Sequence, residues 1–268
     1  MIIQCSNIPD GTVISQDGVE ISYNVQGKGK PAIVLIPGWT NSKTIWDDQI
    51  SHFSEKYKVI AIDLAGHGKS ANNRDKWTMS AYGDDVVAVV NKLRLKDVVL
   101  VGFSMGGFVV FEAEKKIPEK VSGIVLVDAF RDVEYSIPIE LAEKQYNDLV
   151  EKLNNPSPEK FSGFKNNQET NYKRLLAMYE EFSTIGWLES LENGIRWRNN
   201  KTIKALQNVQ SPLIAINSDL SPSNVEAFQK YVPSFKAHIV ENTSHVIMWD
   251  APDEFNRLLD EAILDFSK

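Results

Sequence analysis

The chain has 268 residues, of which 43% are hydrophobic and 24% charged, with a net charge of -7. That balance suits one large folded domain with a sizeable core, or a domain carrying an insertion. The acidic excess and the lack of any basic stretch argue against nucleic acid and anionic membrane surfaces. No apolar run approaches the length of a membrane span. One cysteine and four histidines leave no internal disulfide and no zinc-type ligand cluster. No cofactor is expected. A small neutral or apolar molecule is the expected partner, and the chain is expected to act as a monomer or homodimer. The start, "MIIQCSNIPDG", lacks the regions of a signal peptide and points to the cytoplasm, with a lipidated or exported precursor trimmed near Cys5 as the alternative.

Along the chain, "GTVISQDGVEISYNVQGKG" alternates with period two around Asp17-Gly18, a hairpin signal that predicts antiparallel strands at the start of the sheet. The runs "AIVLIPG", "KVIAIDL", "DVVLVGF", "GIVLVDA" and "PLIAINS" are continuously apolar, as strands buried on both faces are. Between them, Met79 to Leu93 repeats apolar residues every three or four positions, so strand and helix alternate and the sheet is mostly parallel. The alternation stops after Asp128 and resumes at Pro212. The helical stretches "IELAEKQYNDLVEKL", "ETNYKRLLAMYEEF" and "GWLESLENGIRW" fill the gap. The expected organisation is a core over 1–130 and 208–268 with a helical cap inserted over 131–207. Of the cap's aromatics, among them Phe161, Phe182, Trp187 and Trp197, most are expected to be packing and a few to face the pocket.

The stretch "VGFSMGGF" sets Ser104 between a buried strand and a helix, with glycines two positions either side. A strand that turns so abruptly into a helix strains the serine backbone, and the flanking glycines relieve side-chain clashes. Ser104 is then exposed at the carboxyl edge of the sheet, and the Met105 N–H at the helix start is the obvious oxyanion donor. A hydroxyl needs a base with a carboxylate behind it. His52 falls in a helical stretch and His238 in a strand; His67, in "DLAGHGKS", precedes the serine and shapes the site's edge at most. His245, in a loop after a strand, is the expected base. Asp219, at the end of "PLIAINSD", is the favoured orienter of that imidazole, with Asp128, at the end of "GIVLVDAF", as its competitor.

Those segments, "LIPGW", "DLAGHGKS", "GFSMGG", "INSD" and "TSHVIMWDAPDEF", resemble the α/β-hydrolase fold family over essentially the whole chain, in its order of nucleophile, acid, base. The resemblance implies an α/β fold: a mostly parallel sheet flanked by helices, with antiparallel N-terminal strands and an inserted helical cap. It also implies that Trp39 supplies the second oxyanion-hole N–H. Many members carry His-Gly where this chain has Pro37-Gly38, a change that spares backbone donation. Ser104 sets the chain apart from the aspartate-nucleophile haloalkane dehalogenases and epoxide hydrolases. The expected activity is hydrolysis of a small ester, thioester or lactone through an acyl-enzyme. The elbow equally resembles those of cofactor-free perhydrolases and carbon–carbon bond hydrolases, and a non-catalytic ligand receptor is the reading from another class.

Overall fold

The computed structural model describes residues 10–157, 164–166, 168–179 and 184–267. Cys5, Phe161 and Phe182 lie outside them. An eight-stranded sheet runs in the order β1-β2-β4-β3-β5-β6-β7-β8. Its strands are β1 Asp10–Ile14, β2 Glu20–Gln26, β3 Ala32–Ile36, β4 Lys58–Ile62, β5 Val98–Phe103, β6 Val121–Val127, β7 Leu213–Ser218 and β8 Lys236–Val240. β1 pairs antiparallel with β2 and β2 antiparallel with β4; the other pairings are parallel. The hairpin turns at Gly18, whose φ of 89° suits a residue without Cβ. The expected fold class is therefore the one observed.

Every residue of β3 and β5 is buried, and their side chains alternate between two apolar layers. Val98 and Leu100 face one layer, Val99, Val101 and Phe103 the other. The first layer is closed by α2 (Met79–Lys92), α3 (Gly106–Glu114) and α6 (Trp187–Asn208), through Val86, Val90, Val109, Val110, Trp197 and Leu206. The second is closed by α1 (Asp47–Phe53) and α9 (Pro252–Phe266), through Ile50, Phe53, Phe255, Leu259 and Ile263. Proline at the first turn of α9 costs no helical bond, which is why the helix starts there.

Between β6 and β7 the described residues form α4 (Glu140–Asn154), α5 (Gln168–Tyr179) and α6. Helix α6 continues eleven residues past the stretch that ends at Trp197, because Thr202 and Leu206 keep its buried stripe going. Trp197 stacks on Phe108 at 5.4 Å and on Phe111 at 6.1 Å, and its indole N–H donates to Glu112 at 2.6 Å. It is packing against α3. Two further helices, α7 (Val225–Gln229) and α8 (Ile247–Asp250), flank β8 in the chain.

Candidate active site

Strands β3, β5, β6, β7 and β8 run parallel, so their carboxyl ends share one edge of the sheet, where the segments bearing Trp39, Ser104, Asp128, Asp219 and His245 begin. Ser104 follows β5 with φ at 52°, the left-handed region that the sharp turn demands. Its N–H still reaches the Val127 carbonyl of β6 at 2.9 Å, so pairing continues through the kink. The packing around it explains the glycines. A Cβ on Gly106 would lie 2.7 Å from the carbonyl oxygens of both Ile36 and Pro37, and one on Gly38 would lie 3.1 Å from the Ser104 Cβ. The loop after β3 and the serine turn can touch only because both are bare there. Met105 caps α3, whose first N–H groups have no acceptor within the helix. The N-terminal end of that helix also favours negative charge.

His245 lies in the loop after β8. Its ring stands 4.8 Å, centroid to centroid, from that of Phe103, the residue before Ser104. The loop is held by the buried Asp250, which accepts the Ser244 N–H at 2.7 Å and, from the segment between β6 and β7, the Asn166 N–H at 3.1 Å. The other histidines fall as expected. His52 is in α1, His238 in β8, and His67 is buried with Nδ1 2.9 Å from the Ala65 carbonyl, where burial pushes it below the ordinary imidazole value.

The carboxylate on His245 is that of Asp128, with Oδ2 2.6 Å from Nδ1, and this corrects the expectation of Asp219. Asp219 points its carboxylate at the chain instead, accepting the N–H groups of Asn242 at 2.9 Å and Thr243 at 3.3 Å. Those backbone bonds hold it below the usual carboxylate value. The reason lies in strand order: β6 is the direct neighbour of β5, and β7 is one strand further from the serine. Asp128 is also turned by its backbone, with φ at 43° and its N–H on the Ile216 carbonyl at 2.9 Å. Burial alone pushes its carboxyl up, but the His245 hydrogen bond and charge, the Ser218 N–H and the Arg131 charge outweigh it and hold it below the ordinary value. Asp128, held below the ordinary value, is the acceptor in this bond, so the proton between them lies on Nδ1 of His245.

The sequence reading missed the residues that support this pair. Arg131 donates from Nη2 to Asp128 Oδ1 at 2.6 Å, and Ser218 gives the same oxygen its N–H at 2.9 Å and its hydroxyl at 3.1 Å. The only sequence cue was an arginine three positions after a strand-end aspartate. It also missed how the loop after β3 is tied to the segment between β6 and β7. The Trp39 indole donates to the Trp187 carbonyl at 3.1 Å, and the Thr40 and Tyr179 hydroxyls lie 3.2 Å apart.

The match to the family described as the alpha/beta hydrolase fold covers residues 31–252, and the chain belongs to that family. Among curated relatives, it is 36% identical over 149 residues to a bifunctional esterase/perhydrolase of Acinetobacter calcoaceticus, covering 53% of this chain and 54% of that protein. It is 44% identical over 96 residues to a non-heme haloperoxidase of Rhodococcus erythropolis, covering 35% of each. The matches thus span about a third to about half of these relatives. An esterase from Thermogutta terrifontis, 20% identical, superposes with a TM-score of 0.78 over 97% of this chain and 100% of that one, and shares the fold. Among the described residues no helix is long and apolar enough to cross a membrane.

Proposed function

We propose that the protein is a serine hydrolase that cleaves a small ester, thioester or lactone through an acyl-enzyme. The observation that carries the reading is the 2.6 Å bond between His245 Nδ1 and the buried Asp128, with the His245 ring against Phe103, the residue before a serine in left-handed backbone at the start of a helix. In this mechanism His245 Nε2 takes the proton as Ser104 Oγ attacks the carbonyl carbon. The Trp39 and Met105 N–H groups hold the oxyanion. The imidazolium, steadied by Asp128, then protonates the leaving alkoxide or thiolate to the alcohol or thiol, and the cycle repeats with water as the nucleophile to free the acid. The segment over 131–207 serves as the cap that bounds the acyl pocket, a role supported by its ties to Trp39 and Thr40.

A second reading is favoured by the similarity to the Acinetobacter bifunctional esterase/perhydrolase: hydrogen peroxide in place of water would release the same acyl-enzyme as a peracid. Both readings need the same serine ester. A fluorophosphonate probe should label Ser104 one-to-one in the intact protein, and Ser104→Ala should lose labelling together with turnover of short p-nitrophenyl esters. Folded wild-type protein that gains no mass on exposure to the probe would show a ligand-binding relative instead. Peracid yield with added peroxide then divides the two hydrolytic readings.

A further inference from the structure

Arg131 spans the loops after β6 and β7. Besides its bond to Asp128 Oδ1, its Nη1 donates to the carbonyls of Ser218 at 2.9 Å and Ser221 at 2.7 Å. Its Nη2 also reaches the Ser218 hydroxyl, and its own carbonyl accepts the Asn224 N–H at 2.6 Å. The guanidinium is therefore fixed at both ends of its fork. The Asp128 side chain is 1% exposed and that of Arg131 20% exposed, so water screens their attraction weakly. A carboxylate with two oxygens has two duties here: Oδ2 serves the imidazole and Oδ1 is occupied by Arg131 and Ser218.

We infer that Arg131 is a positioning residue that aims the Asp128 carboxylate at His245 and, by sharing its charge, sets the pH at which the imidazole becomes available as a base. The inference rests on the serine-hydrolase reading for its catalytic meaning, though not for its electrostatics. A carboxylate alone beside an imidazole favours the protonated ring, and a cation on the far oxygen weakens that preference. The other described contacts of the His245 loop do not involve Arg131. Phe103 of β5 is uncharged, Asp250 of α8 is bonded to the Ser244 N–H, and Asp219 after β7 to the Asn242 and Thr243 N–H groups. Lys165, from the inserted segment, acts on Asp219 and gives its N–H to Asp250 at 3.3 Å.

The test is titration of the His245 ring by two-dimensional proton–nitrogen NMR in the full chain, assigned by loss of its signals in His245→Gln. Arg131→Gln keeps donors and removes the charge; its titration midpoint should rise by about 0.5 to 1 pH unit, and the acid limb of kcat/KM should move with it. Arg131→Lys keeps the charge without the fork; its midpoint should stay near wild type while kcat falls several-fold with KM little changed. A midpoint in Arg131→Gln that stays within about 0.2 unit or falls, in protein with native circular dichroism, overturns the inference. If Arg131→Gln does not fold, a Lys variant whose midpoint rises by about 0.5 unit or more, or whose kcat is unchanged, overturns it equally. Failure of the fluorophosphonate to label wild-type Ser104 would remove the hydrolase reading alone, because the titration is read without turnover.

Discussion

Ser104 and Asp128 are built by one device. Each directly follows a parallel strand, each takes left-handed backbone, and each keeps its N–H on the carbonyl of the next strand. Such a conformation costs about 1–3 kcal/mol in a residue with a side chain and persists only where the surroundings impose it. Here the strand pairing imposes it, and the result throws a hydroxyl and a carboxylate clear of the sheet edge. Asp128→Asn should therefore lower kcat by about 10⁴ with the fold intact, as loss of the orienting carboxylate does in serine proteases. Asp219→Asn should cost less than about tenfold, because its carboxylate accepts from the backbone of Asn242 and Thr243. Steady-state kinetics on the two variants, each with native circular dichroism, checks this, and the reverse ranking would return the acid to Asp219. A turn motif and chain order single out Ser104 and His245, and the structure brings the His245 ring against the residue before Ser104. The carboxylate that meets His245 was not legible, because its choice depends on which strand neighbours β5, a fact of the sheet's spatial order and not of the chain's.

At the scale of elements, strands and helices declared themselves through unbroken apolar runs and three-to-four spacing, and the observed sheet follows that reading from β1 to β8. Helix α6 ran longer than its cue because its second half hides one narrow stripe, with Thr202 and Leu206 buried, under a polar sequence. The ties between the loop after β3 and the helices between β6 and β7 had no cue at all, since a hydroxyl pair 139 positions apart leaves no periodic trace. Those ties join Trp39, the proposed oxyanion donor, and its neighbour Thr40 to α6 and α5. Tyr179→Phe removes only the hydroxyl that meets Thr40, a loss of about 1 kcal/mol in stability. It should reduce kcat several-fold with a Tm change of at most a few degrees. Unchanged kcat on both short and long acyl esters would show that the loop holds its shape without the tether.

For the molecule as a whole, two carboxylates pull its acid stability in opposite directions. Asp128 is held below the ordinary value, so its stabilising bonds are in force above the unfolded carboxylate range and are lost only as the pH falls through its depressed folded value. Asp47, in the first turn of α1, is the opposite case: burial, chiefly, with Asp48 and Asp63 adding, raises it to about 6 from 3.8 against the pull of Arg174 and Lys43. The folded chain then binds a proton between about pH 6 and pH 4 that the unfolded chain does not. Stability from this group rises as the pH drops through that window, and holding Asp47 ionised at neutral pH costs on the order of 1–3 kcal/mol. Arg174 of α5, which bonds Asp48 at 2.8 Å and covers the Trp249 ring at 4.4 Å, offsets part of that cost. Asp47→Asn cannot ionise and gives up only a modest interaction with the helix dipole. It should raise Tm by several degrees at pH 7.5, and the advantage should shrink steadily below about pH 6 and vanish near pH 4. Calorimetric scans of both proteins across that range decide it. A gap that is constant with pH would mean that Asp47 titrates alike in the folded and unfolded chain and that its burial carries no electrostatic cost.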